Sequence, residues 1–221
     1  MKADRDMVLV WDPLVRAGHW LLVAAFAVAY LTQGEPPQAH VWAGYTIGGI
    51  VLLRVVWGFV GPRRARFADF LSGPGAAFRD LQALLRFRAD RHLGHSPASG
   101  AMAVALLLSL AVTVGTGLLA YGETEGAGPL AFLFPAAQAP NPAADAAEPL
   151  FPSLDDAPAA ASATPGPAPR RADSAIVGVH EAFANITLAL AALHAAGVVL
   201  ASLAHRENLV LTMVTGRKRA P

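Results

Sequence analysis

The residues best suited to chemistry in this chain are its histidines, seven in number, with no cysteine beside them. Four of them, His19, His40, His180 and His194, lie inside or at the ends of long apolar stretches. Ionisable side chains in such stretches are rare and usually functional. His180 and His194 are fourteen residues apart. That is close to four helical turns, so both rings face one side of a helix, with Cα atoms about 21 Å apart along its axis. A neutral imidazole is a good iron ligand. Two imidazoles on facing helices can hold a haem iron from both axial positions within a bundle. The residue types leave other uses open. A histidine can hydrogen-bond across helices, and zinc or copper also take imidazole, although two ligands with no carboxylate or thiolate nearby suit zinc poorly. His92, His95 and His205 fall at or beyond the edge of the apolar stretches.

The elements that position these rings follow from where charge is missing. Apolar residues make up 54% of the 221-residue chain and charged residues 15%, against about 25% charged in a typical soluble domain. Residues 15–32 carry only Arg16, 41–60 only Arg54, 100–121 no charge and 175–204 only Glu181. A helix of roughly 20 apolar residues crosses the hydrocarbon of a bilayer with its backbone hydrogen bonds satisfied internally. The expected fold is therefore all-α, an integral membrane four-helix bundle. The first stretch could also be a cleaved signal peptide, with Ala27-Val28-Ala29 as its cleavage site, but a span is expected, since Asp4, Asp6 and Asp12 dilute a basic leader and His19 interrupts its apolar core. The lack of cysteine excludes disulfides, thiolate-bound clusters and covalently attached c-type haem. Any haem is held non-covalently.

Charge also orients the spans. Residues 61–99 carry seven arginines against three aspartates, and the tail beyond Ala204 carries Arg206, Arg217, Lys218 and Arg219 against Glu207. Residues 122–174 carry seven acids against Arg170 and Arg171, and the short link 33–38 carries Glu35 alone. Basic and non-basic connections alternate, so the positive-inside rule puts both termini and the 61–99 loop in the cytoplasm. With that topology His40 falls at the depth of His180, and His19 at the depth of His194, giving an outer and an inner pair. Arg54 follows His40 by fourteen residues and reaches the depth of the inner pair. It can face a haem propionate or snorkel to the interface. Gly44, Gly48, Gly49, Gly115 and Gly117 permit close helix approach or room for a flat macrocycle. Tyr30, Trp42, Tyr45 and Trp57 fit an interfacial aromatic belt.

The connections divide in character. Residues 135–169 are dominated by alanine and proline and read as a disordered tether with a short docking element around Leu150 and Phe151. Residues 76–85 place Phe78, Leu81, Leu84 and Leu85 at helical spacing beside Arg79, Arg86 and Arg88, as in a helix lying on an anionic membrane surface or a short connecting helix.

The segments "VWDPLVRAGHW", "HVWAGYTIGGIVLLRVVWGFVGPRRARFADF", "LGHSPASGAM" and "VHEAFANITLALAALHAAGVVLASLAHRENLVLTMVTGRKR" resemble the bacterial cytochrome b561 and nickel-hydrogenase b-type cytochrome family. The similarity covers nearly the whole chain except the Ala/Pro-rich loop. It implies two non-covalent haems b, with His19 and His194 on the inner haem and His40 and His180 on the outer. It implies electron exchange between the quinone pool and a redox partner protein, a cytochrome or a dehydrogenase or hydrogenase subunit, in a bacterial cytoplasmic membrane. Quinone oxidoreduction at a haem edge, or superoxide oxidation as in some relatives, belongs to the same expectation. A homodimer is left open, and no nucleic acid partner is expected. Two readings from other classes remain: a His-dependent proton or metal transporter using Glu181, and a non-redox membrane anchor.

Overall fold

A computed structural model describes residues 7–33, 37–135 and 174–219. Among them four helices are long and apolar enough to cross a membrane: α1 (Pro13–Leu31), α2 (Pro37–Val60), α5 (Pro97–Glu125) and α6 (Ala175–His205). Shorter elements are β1 (Met7–Leu9), α3 (Phe67–Phe70), α4 (Pro74–Leu85), α7 (Leu209–Thr215) and β2 (Arg217–Arg219). Among the described residues the fold is all-α apart from this one pair of three-residue strands. Residues 136–169 of the expected tether, including Leu150 and Phe151, lie outside the described residues.

The helix starts are written in the sequence. α1, α2, α4 and α5 each begin at a proline, which presets φ and lacks an N–H that the first turn leaves unbonded anyway. Asp12 caps α1, its Oδ1 accepting from the Leu14 and Val15 N–H groups at 2.8 and 3.3 Å. The cap starts α1 at Pro13, two residues before the apolar stretch alone predicts. The spans are apolar all round. Large side chains stay exposed on them, among them Leu52, Leu108, Leu193 and Val199, as lipid contact requires.

The chain divides into two compact units, residues 1–114 with 181–221, and residues 115–180. In the first, Ala25, Ile47, Val51 and Leu110 form the core, with Leu22, Phe26 and Leu107 packed on it. α5 and α6 are joined by hydroxyls. Thr187, the most buried side chain, shares hydrogen bonds with Ser109 Oγ at 2.7 Å and Thr113 Oγ1 at 3.2 Å. Tyr30 donates its hydroxyl to Asn185 Oδ1 at 3.0 Å, tying α1 to α6. In hydrocarbon such bonds replace the hydrophobic effect as the source of helix register.

At one end of this unit the termini are clasped. β1 pairs antiparallel with β2, Met7 opposite Arg219 and Leu9 opposite Arg217. The Val10 and Trp11 N–H groups then donate to the Gly216 carbonyl at 2.8 and 3.1 Å. Gly216 ends α7 at φ 79, a left-handed conformation that suits glycine. From the 61–99 loop, Arg91 pairs with Glu207 at 3.2 Å and donates to the Arg219 carbonyl at 2.7 Å. Lys218 is buried and donates to the His92 carbonyl at 2.5 Å. Burial draws its pKa down, with Glu207 opposing. Residues 7–9, residues 217–219 and the basic loop therefore meet at one end of this unit.

α4 carries Phe78, Leu81 and Leu85 exposed, so its apolar face has no cover from the described residues. In the second unit α5 continues to Glu125, Glu123 accepts a hydrogen bond from the Ser174 hydroxyl, and Ser174 Oγ accepts from the Val177 N–H at the start of α6.

The ribbon yields a direct test. Opposed Cα atoms in an antiparallel pair lie about 4.5–5.5 Å apart, within the range of a disulfide. In this cysteine-free chain, Met7→Cys with Arg219→Cys should cross-link on mild oxidation and migrate faster on non-reducing gels. Absence of any intramolecular cross-link would break the pairing of the termini.

Candidate haem-binding site

His19 lies on α1 and His194 on α6. Their ring centres are 6.4 Å apart with planes inclined by 59°. A bond from imidazole nitrogen to a first-row metal is about 2 Å, and the ring centre lies roughly 1 Å beyond the nitrogen, so two axial imidazoles on one ion have centres on the order of 6 Å apart. His19 Nδ1 is sealed from solvent with no hydrogen-bond partner among the described residues. An unpartnered buried ring nitrogen is costly unless something occupies it or its neighbour.

His40, on α2, is fixed differently. Its Nδ1 lies 2.8 Å from the Ala29 carbonyl of α1. A carbonyl only accepts, so Nδ1 carries the proton and Nε2 keeps its lone pair. This is how metal-binding histidines are commonly oriented.

In the second unit, His180 Nδ1 lies 3.4 Å from the Thr116 hydroxyl. Its ring lies against the backbone of α5 at Gly117, where a Cβ would come within 2.8 Å of His180 Cε1 and 3.1 Å of Nδ1. Gly117 is thus the residue that admits the ring.

Arg54 is half-buried. Its guanidinium lies over the rings of Phe67 and Phe70, 5.2 and 5.8 Å from their centres. Its Nη1 is buried and unpartnered among the described residues. Phe67 itself lies on α2 at Gly58, where a Cβ would come within 2.1 Å of the Phe67 ring. These aromatic faces hold the cation in place and leave its N–H donors for another acceptor.

The spacing of the spans gave no role to His95. It lies just before α5, its ring 4.4 Å from Phe70 and 4.7 Å from Trp11, centre to centre. With Arg54 it lines a cavity of about 560 Å³. Burial first, then the neighbouring Arg54, His194 and Lys218, lower its pKa to about 4. It is therefore neutral near pH 7.

The donor set fits haem. Among the described residues no three of His, Cys, Asp or Glu gather as a metal site. A macrocycle brings four equatorial nitrogens of its own and asks the protein for two axial ligands. The model of the prokaryotic cytochrome b561 family matches residues 10–216. The chain belongs to that family. No curated protein and no solved structure matches the chain. As a cytochrome b561 it is a membrane-integral, haem-binding electron-transfer protein with b-type haem that exchanges electrons with redox partners in the membrane.

Two predictions follow from the geometry of this cytochrome. Gly117→Ala should push the His180 ring aside and reduce the haem content of the purified protein. Gly115→Ala, where a Cβ meets nothing within 4 Å, should leave it unchanged. Equal haem in both variants would count against the Gly117 contact. The second concerns pH. An unfolded His takes up a proton below about pH 6.5, whereas folded His95 resists until about pH 4. Folding is therefore penalised progressively as pH falls from 6.5 to 4, by up to roughly 3 kcal/mol. Thermal melts in detergent should show this loss, and His95→Phe should flatten it. An unchanged pH profile in His95→Phe would assign the acid sensitivity to other groups.

Proposed function

We propose that the protein is a di-haem cytochrome that carries electrons across the cytoplasmic membrane between the quinone pool and a redox partner protein. His19 and His194 would hold the iron of the inner haem, and His40 and His180 that of the outer. The observation that carries the reading is the 6.4 Å separation of the His19 and His194 ring centres. The outer assignment rests on the orienting hydrogen bond of His40, the seat of the His180 ring at Gly117, and the matching depths of the two positions. Arg54, held on aromatic faces with free donors, supplies the cation for a haem carboxylate. Each haem, when bound, supplies one-electron exchange at iron.

The chain's own residues set the rest. Two imidazoles on each iron would suit it to electron transfer rather than to oxygen binding. The hydrogen bond from His40 Nδ1 to a carbonyl strengthens the ring as a donor. The apolar spans exclude water from both sites. The arginine-rich loop and tail orient the termini and the 61–99 loop toward the cytoplasm, which makes the His19–His194 site the inner one.

Haem quantification and mutagenesis test the proposal. Pyridine haemochrome analysis of fully loaded protein should give two protohaems per chain. His19→Ala and His194→Ala should each remove the same spectral component, and His40→Ala and His180→Ala the other. A double variant within a pair should cost little more than either single, because groups acting as one unit are not additive. A reproducible single haem, or grouping of His19 with His180, would overturn the assignment.

A further inference from the structure

The cavity beside Arg54 has features that the haem ligands alone do not explain. It lies at the clasped end of the first unit, where the start of α1, the end of α2 and the loops around α3 and His95 come together. Two nitrogens of its lining side chains, Arg54 Nη1 and His95 Nδ1, are sealed from water and have no partner among the described residues. Sealing one such group costs about 1–3 kcal/mol, more for a charged one. Both side chains lie beside the ring of Phe70 and line the same cavity. Arg63 and Arg64 also line the cavity, against Asp12 and Asp69. Asp12 already spends an oxygen on the α1 N-terminus, and Arg64 is committed in part to the Leu9 carbonyl at 2.7 Å. The net lining charge is positive, and the unsatisfied groups are hydrogen-bond donors when His95 carries its proton on Nδ1. Together they call for an anionic acceptor that can take a planar fork and a ring N–H at once, which is the chemistry of a carboxylate.

We propose that Arg54 and His95 together form a carboxylate site that takes a propionate of the haem held between His19 and His194. The inference rests on the ligand reading above. It adds His95 as a second binding group and gives a purpose to its seat. Arg54 comes from α2, whereas His95 comes from the loop before α5. Trp11 holds the far edge of the His95 ring, and Trp11 is in turn fixed by its N–H bond to the Gly216 carbonyl. The clasp of the termini therefore positions one arm of the carboxylate site. A cation and a neutral donor on the propionate withdraw negative charge from the neighbourhood of iron, which favours the reduced state. Removing either lowers the reduction potential of that haem.

The test is a redox titration of the purified, fully loaded protein, with resonance Raman bands of the haem propionates as a second readout. Arg54→Gln should shift the reduction equilibrium of one haem about tenfold toward the oxidised form, about 59 mV for one electron. His95→Phe keeps an aromatic ring between Phe70 and Trp11 but removes the donor, and should shift the same haem about threefold. The affected component should be the one that His194→Ala removes, and its propionate band should move. His95→Gln, which restores an N–H donor, should recover most of the shift. If Arg54→Gln does not fold, Arg54→Lys, with the charge but not the fork, should give a smaller shift in the same direction. Retained haem with unchanged potentials and propionate bands in both Arg54→Gln and His95→Phe overturns the proposal, as does a shift confined to the component that His40→Ala removes. Added acetate should leave the spectrum and potential of the native protein unchanged; a saturable acetate effect would mean that the site takes a free carboxylate, and overturns the propionate assignment. His194→Ala retaining both haems would instead overturn the ligand reading, a result the cavity variants cannot produce.

Discussion

A ring nitrogen buried in hydrocarbon has no water to fall back on, and the structure is organised around that constraint. Each intramembrane imidazole needs one nitrogen oriented and the other occupied. His40 orients its ring through the Ala29 carbonyl, which α1 must bring to within hydrogen-bonding reach of α2. His180 lies beside the Thr116 hydroxyl, against a glycine that lets the ring reach the α5 backbone. The His19 and His194 rings lie 6.4 Å apart, centre to centre, with planes inclined by 59°. α5 contributes no histidine, yet it supplies Thr116 and Gly117 to one ring, and Ser109 and Thr113 to the bond that sets its register with α6.

Much of this was legible in the sequence because the signals are periodic or compositional. The four spans announce themselves by missing charge, and the family resemblance in four segments matches the family finding over residues 10–216. The placement of His19 opposite His194 is implied by counting residues along two helices that run in opposite directions. What was not legible depends on contacts distant in sequence. The ribbon pairs residues 7–9 with 217–219, across more than two hundred residues, and three-residue strands carry no pattern that composition can reveal. Arg54 shows the same limit. Its position along α2 allowed either a propionate or the interface as partner. Its seat on Phe67 and Phe70 depends on how α3, a four-residue helix, lies against α2. His95 could be counted but not assigned, because its neighbours Trp11 and Phe70 come from separate parts of the chain.

The clasp has an energetic logic beyond tying the ends together. The matched family region begins at residue 10 and ends at residue 216, where β1 gives way to Trp11 and α7 closes on Gly216. The two strands extend just beyond those limits. Arg16, three residues before His19 on α1, donates to the Val214 carbonyl. Gly216 leaves room for that guanidinium, since a Cβ there would lie 2.7 Å from Arg16 Nη1. Residues three apart on a helix lie on neighbouring positions of one face, so a constraint on Arg16 also limits rotation of α1 at His19. A two-stranded ribbon alone is marginal in water. This one is reinforced by the Arg91–Glu207 pair, by buried Lys218 and by the backbone bonds to Gly216. The polar bonds that water allows at this end of the molecule therefore limit a rotation that apolar packing along α1 leaves weakly determined. The His19 and His194 ring centres lie 6.4 Å apart, and a few degrees of rotation at the helix axis become tenths of an ångström at the ring. Residues 7–11 and 214–219 thus bear on the orientation of His19 through Arg16.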